Sequence, residues 1–227
     1  MTTKSLTEQL KHIKLLMKYA VPEEYSEEAM EFVQRFETDI IALNIFHAFY
    51  SYLPDAKDDA IRRFRIMARK QGTFLICAET IHAQYFYVTT SEQAEYLGSL
   101  SEGIWDQEVL DFFGYESRQT FLDKHHDTGK FPEYTPAYMN QALCPVCHTA
   151  EGELHFFGCP VEVCPWCGSQ LTICNCRFET LGTNLLTGDQ QLERLLEKLK
   201  EKGRVVFDPK NQNPTYIKDP GQLPEIE

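Results

Sequence analysis

The chain has 227 residues, 43% hydrophobic and 25% charged, enough apolar material for one substantial core with a small satellite, which excludes a disordered polymer. Asp and Glu outnumber Lys and Arg by 34 to 22, and the net charge of −12 disfavours nonspecific contact with nucleic acid or anionic lipid. The longest apolar stretch, Ile40 to Leu53, is interrupted by Asn44 and His47. It is too short for a bilayer span of about 20 residues.

The opening residues lack the apolar segment of an export signal, so a cytoplasmic, reducing location is expected, where clustered cysteines serve metal rather than disulfides. Leu6, Leu10, Ile13, Met17 and Ala20 recur at helical spacing behind the capping box Ser5-Leu-Thr-Glu8, and Pro22 marks the stop. From Ser26 to Leu53 apolar residues are dense enough to predict one central helix covered on several sides. A third helix is expected from Asp55 to Lys70, with Ile61, Phe64, Met67 and Ala68 inward and Gly72 ending it.

Thr73 to Cys77 and Ile81 to Thr89 favour strands, with a helical continuation as the competitor because Ala78-Glu79-Thr80 is a poor turn. Short helices are expected at Ser91 to Leu100, Trp105 to Phe113 and Ser117 to His125. These elements make residues 1–126 a helical domain, with a hairpin near 73–89 if the strands form. Residues 127–142 read as a linker, 143–181 as a zinc ribbon, 182–207 as a closing helix and strand, and 208–227 as an extended tail. The expected class is mainly α with a small β ribbon, and no internal repeat is apparent.

Seven of the eight cysteines lie between Cys144 and Cys176. Two knuckles stand out, Cys144-Pro-Val-Cys147 and Cys164-Pro-Trp-Cys167-Gly168. Two thiolates on one tight turn, met by two from another, complete the tetrahedron that zinc favours, so the predicted site is Cys144, Cys147, Cys164 and Cys167. Iron would use the same ligands. Cys159, Cys174 and Cys176, with His155 or His148, either form a second site or pack beside the first ion as small apolar groups. A tetrathiolate is closed to water, which makes the ion structural.

The string from Gly158-Cys159 through Glu162, Cys164-Pro-Trp-Cys167-Gly168 and Gln170 to Cys174-Asn-Cys176 resembles a recurrent bacterial zinc-ribbon type. The resemblance covers about residues 144–178 and implies a rubredoxin-like knuckle fold without an agreed activity. Ser169 stands where that type often has a second glycine.

Cys-Pro-Trp-Cys alone also resembles a glutaredoxin-like redox loop, but Gly168 and a second CxxC follow another plan. The zinc-deaminase signature has its proline before the CxxC, which neither knuckle does, and no Walker loop, dinucleotide fingerprint, HExxH or nucleophile elbow occurs. His125-His126-Asp127 reads as a polar helix end and His47 as a core histidine.

Arg62, Arg65 and Arg69 would share one face of the third helix and offer a nucleic-acid contact, with a solvated face balanced by Asp55, Asp58 and Asp59 as the plainer alternative. Phe156, Phe157 and Trp166 offer an apolar patch for a protein. The expected function is a non-catalytic zinc-binding adaptor or accessory subunit with a protein partner and no membrane contact. The alternative is a nucleic-acid-associated regulator using the basic face 62–70.

Overall fold

A computed structural model describes residues 3–136 and 143–212, with side chains from residue 6 onward. The last six residues of the expected linker, 137–142, and most of the expected tail, 213–227, lie outside the described residues, as does the Ser5 side chain of the capping box. Three helices come first: α1 (Thr3–Ala20), α2 (Ser26–Arg35) and α3 (Ile40–Ser51). Four antiparallel strands follow in the order β1-β2-β3-β4: β1 (Ile61–Lys70), β2 (Thr73–Thr80), β3 (Gln84–Thr89) and β4 (Ala94–Ser99). Then come α4 (Gln107–Phe113), α5 (Arg118–His125), a cysteine-rich segment, α6 (Cys176–Leu181) and α7 (Asp189–Lys202).

The sheet is covered on both faces. Phe74 and Ile76 of β2 and Tyr85 and Tyr87 of β3 join Phe32, Phe36, Phe46 and Phe49 of the first helices in one core. The intervening Leu75, Cys77 and Phe86 point the other way, onto Leu110 of α4 and Phe121 of α5. A strand buried on both faces has no polar alternation, so β2 and β3 read from sequence as a featureless apolar run.

The first part of the chain is therefore mixed α and β, which corrects the mainly helical expectation. Where a third helix was expected, residues 61–70 form β1. Its pairing with β2 shifts register between Ile61 and Arg63 and again between Ile66 and Ala68. Each extra residue turns the strand by one position, so Ile61 and Phe64, an odd number apart, reach the same core. That three-residue recurrence imitates a helix. Residues 91–100, also expected as helix, supply the edge strand β4, whose glycine at 98 leaves room for the Gly103 carbonyl where a Cβ would collide.

The expected central helix is two helices, broken after Phe36. Asp39 caps α3 by accepting from the Ala42 amide at 2.9 Å, and its carboxylate also accepts from the Tyr134 hydroxyl at 3.0 Å. Both residues are buried, so the cap also fastens the segment after α5 to the helical layer.

β1 carries the three arginines that were expected on a helix face, and the strand disperses them. Arg62 is exposed and pairs with Glu28 at 2.9 Å. Arg65 is largely buried, at 2.5 Å from Glu79, and also donates to the Phe131 carbonyl. Arg63 approaches Glu79 and Glu133. The expected basic helical face is thereby corrected to a strand on which Arg62, Arg63 and Arg65 are paired with carboxylates.

Candidate metal centres

Each knuckle is a short hairpin. In the first, the Cys144 amide donates to the Thr149 carbonyl at 2.8 Å and the His148 amide to the Cys144 carbonyl at 2.9 Å. In the second, the Cys164 amide donates to the Ser169 carbonyl at 2.6 Å and the Gly168 amide to the Cys164 carbonyl at 2.9 Å. Bridges at Leu143 with Ala150 and at Val163 with Gln170 close both in the same register. Both place the residue after the second cysteine in the left-handed region, Gly168 at φ 76° and His148 at φ 57°. Residues 143–150 and 163–170 are thus a repeated unit offset by 20 positions, which corrects the reading of no internal repeat.

The ligand atoms of the two knuckles do not come together. Cys144 and Cys147 gather with His155 and Cys159, whereas Cys164 and Cys167 gather with Cys174 and Cys176, the four ligand atoms of each group lying within 4.8 Å of one another. The predicted quartet Cys144, Cys147, Cys164 and Cys167 is corrected to two quartets, and the suspected second set, Cys159, Cys174, Cys176 and His155, is divided between them. Each knuckle finds its remaining donors within the next dozen residues, so it need not reach across the intervening loop. Cys174 and Cys176 do join one cluster, but from the turn before α6 and the first residue of α6 rather than from a strand.

The first centre is buried throughout: Cys144, Cys147, Cys159 and His155 are each at most 5% exposed. Cys144 Sγ lies 3.8 Å from Cys159 Sγ, and Cys147 Sγ lies 3.3 Å from His155 Nδ1. A tetrahedral ion with sulfurs at about 2.3 Å and nitrogen at about 2.0–2.1 Å separates its donors by about 3.5–3.8 Å, a range that the Cys144–Cys159 distance meets and the Cys147–His155 distance falls slightly below. His155 Nε2 donates to Gln212 Oε1 at 2.9 Å, and Gln212 is itself held by donating to the Val206 carbonyl at 2.8 Å. With the proton on Nε2, the Nδ1 lone pair faces the thiols, which is the tautomer a metal needs.

Without a cation these donors compete for protons. Hydrogen bonding from Cys147 and Cys159 draws the Cys144 thiol strongly down, while Cys159, hydrogen-bonded to Cys144, is driven up. Burial opposes charge on His155, but its bonds to Cys144, Cys147 and Gln212 outweigh that and push it up to about 10. Without a metal the buried Cys144 thiolate is thus offset by a protonated His155, and a divalent ion would take that proton's place.

The second centre is more open. Cys164 is buried, Cys174 and Cys176 are half-buried, and Cys167 is exposed. The Ser169 amide, then Cys176, lowers the Cys167 thiol to about 7, and Cys176 bonded to it is raised to about 12. Leu171, Leu195 and Leu199 pack behind it, with Trp166 and Phe157 at the margin, so α7 serves as its backing. Of the expected patch, Phe156 is exposed, whereas Phe157 and Trp166 are only partly so.

One segment joins the two centres. Arg204, just past α7, donates to both oxygens of Glu162 at 2.7 and 3.0 Å and to the His155 carbonyl at 2.7 Å. Glu162 is 1% exposed and sits between the last ligand of the first centre and the first of the second. Val206 then bridges to Leu154, and Phe207 packs edge-on to the His155 ring. Glu162 belongs to the motif read from the sequence, whereas Arg204 and Gln212 lie outside any motif.

The remaining candidates lie elsewhere. His148 is at the first knuckle but not among its donors, and its Nδ1 has no hydrogen-bond partner among the described residues. His125 does end α5 as expected, but it is fully buried there, with Nε2 at 2.8 Å from the Tyr115 hydroxyl. His126 is exposed and bonds the Asp123 carbonyl.

No known protein family, curated protein or solved structure matches the chain. Among the described residues no helix is long and apolar enough to cross a membrane.

Proposed function

We propose that this protein is a non-catalytic adaptor whose C-terminal part is scaffolded by two structural zinc ions. The closure of both centres carries the reading: each has four soft or borderline donors, so an ion bound there keeps no position for water or substrate. Zinc suits both a set of three thiolates with one imidazole and a set of four thiolates. The Gln212 bond that orients His155 is the support such a ligand needs. The bound ion would supply folding free energy to a region whose described regular structure is two helices, of which α6 has six residues.

Apolar side chains on the surface around the second centre point to a protein partner. Ile173 and Leu185 are 71% and 62% exposed, and Leu192 and Leu196 lie one turn apart on α7 and are also exposed. The regulator reading loses its main support, because the arginines of β1 are spread along a strand and Arg62, Arg63 and Arg65 are matched with Glu28, Glu79 and Glu133.

The adaptor reading is tested by purifying the full chain from its host alongside an Ile173→Ser/Leu185→Ser/Leu192→Ser variant. A stoichiometric protein partner, retained at high salt and lost in the variant, supports it. Retention of nucleic acid that is released by salt, or substrate turnover dependent on either metal centre, overturns it.

A further inference from the structure

A polar cleft of about 540 Å³ lies between α1 and α3, closed at one end by the β3–β4 turn, far in sequence from the cysteines. At its wall His12 Nδ1 and His47 Nε2 are hydrogen-bonded to each other at 3.1 Å. Glu8 precedes His12 by one turn on α1, which places both on one helix face, and Glu92 enters from the turn. Gln9 and Asn44, bonded to each other at 2.9 Å, hold the two helices in register beside the histidines. Among the described residues no lysine or arginine lines the cleft.

Two imidazoles from separate helices, brought nitrogen to nitrogen among carboxylates, suit a cation rather than an anion. Nitrogens bound to one ion at about 2.0–2.1 Å each lie about 3 Å apart, close to the separation here.

We propose that this cleft is a third metal site, taking a divalent transition ion such as nickel or zinc on His12 and His47, with Glu8 and Glu92 along the same cleft supplying negative charge rather than ligand atoms. Its protein donors are nitrogen only, and water fills the remaining positions. The ion held there is therefore open and exchangeable, unlike one enclosed by four cysteine and histidine donors.

The test uses the full chain with both cysteine centres already filled with zinc, titrated with Ni²⁺ by calorimetry at neutral pH. One additional Ni²⁺ per chain is expected, with zinc content unchanged and the His12 and His47 ring proton signals selectively broadened by the paramagnetic ion. Loss of one nitrogen donor should cost more than the about ten-fold that loss of a supporting hydrogen bond costs, so His12→Ala and His47→Ala should each weaken binding by more than ten-fold. Glu8→Gln or Glu92→Gln should weaken it as well. Both histidines lie near the surface, and an unchanged melting temperature shows that the variants fold. Absence of the extra Ni²⁺, its displacement of zinc instead, or binding unaltered in the His12→Ala/His47→Ala double variant overturns the proposal.

Discussion

Gly72, at the tip of the β1–β2 turn, lies directly against the Cys147 carbonyl: a Cβ added there would fall far inside van der Waals contact of that oxygen. The sheet and the first metal centre thus meet backbone to backbone at a residue that is also left-handed, with φ 74°. The turn works as the seat on which the first knuckle rests.

Gly72→Ala should therefore do two kinds of harm. The left-handed backbone alone costs about 1–2 kcal/mol for a residue with a Cβ, and relief of the collision must push the knuckle away. Gly168→Ala is the control, since its φ is 76° but nothing lies within 4 Å of its added Cβ. Thermal melts should show a larger loss for Gly72→Ala, accompanied by weaker metal retention in the first centre. Equal losses in the two variants would show that the knuckle does not rest on the turn.

Gln212→Ala removes the acceptor that keeps the proton on His155 Nε2. Loss of such a support lowers metal affinity by about 10–100-fold, and only the first centre should feel it. Competition with a chromogenic chelator should release one ion early and the other as in the unaltered protein.

Arg204→Ala leaves Glu162 as an uncompensated buried carboxylate. Breaking a buried pair from one side costs about 3–5 kcal/mol, whereas an exposed pair such as Arg62 with Glu28 contributes at most about 1 kcal/mol. Denaturant unfolding of Arg204→Ala should show that difference, and Arg204→Ala/Glu162→Gln should recover part of it. An Arg204→Ala effect no larger than Arg62→Ala would mean that the pair does not brace the two centres.

His125 contributes a pH dependence. Burial, and to a smaller degree Lys124, lowers its pKa to about 4 from an ordinary 6.5. The unfolded chain then binds more protons between those values, so this contribution is complete above about pH 6.5. It is lost as pH falls toward 4, at up to about 1.4 kcal/mol per unit. His125→Gln should flatten the stability curve across that window relative to the unaltered protein. Parallel curves would show that the ring is protonated in the fold without penalty.

The knuckles were legible because CPxC and CPxCG are local: hairpin, thiolate pair and left-handed residue all fall within eight positions. Their partnering was not, since it depends on which donors a folded loop returns to each turn. His155 and Cys159 follow Cys147 by 8 and 12 positions, and nothing in their spacing separates them from Cys174 and Cys176. The repeated unit was hidden for a related reason, because His148 stands where Gly168 does and the two halves share only cysteine and proline at matching positions.

The sheet shows the same limit in another form. Helix α1 follows from one-sided apolar periodicity, and α4 and α5 form where short helices were expected, with Asp106 and Ser117 accepting amide hydrogen bonds at their starts. β1 failed because its two register shifts convert a period of two into a spacing near three. β4 failed because an edge strand with half-exposed residues carries little pattern at all.

The account turns on two separate four-donor centres, and metal content per chain tests it most directly. Elemental analysis of the purified protein should give two zinc ions, falling to one in either Cys159→Ser or Cys176→Ser, with both lost only in the double variant. A single zinc, abolished equally by Cys147→Ser and Cys167→Ser, would mean that the knuckles close on one shared ion and would contradict it.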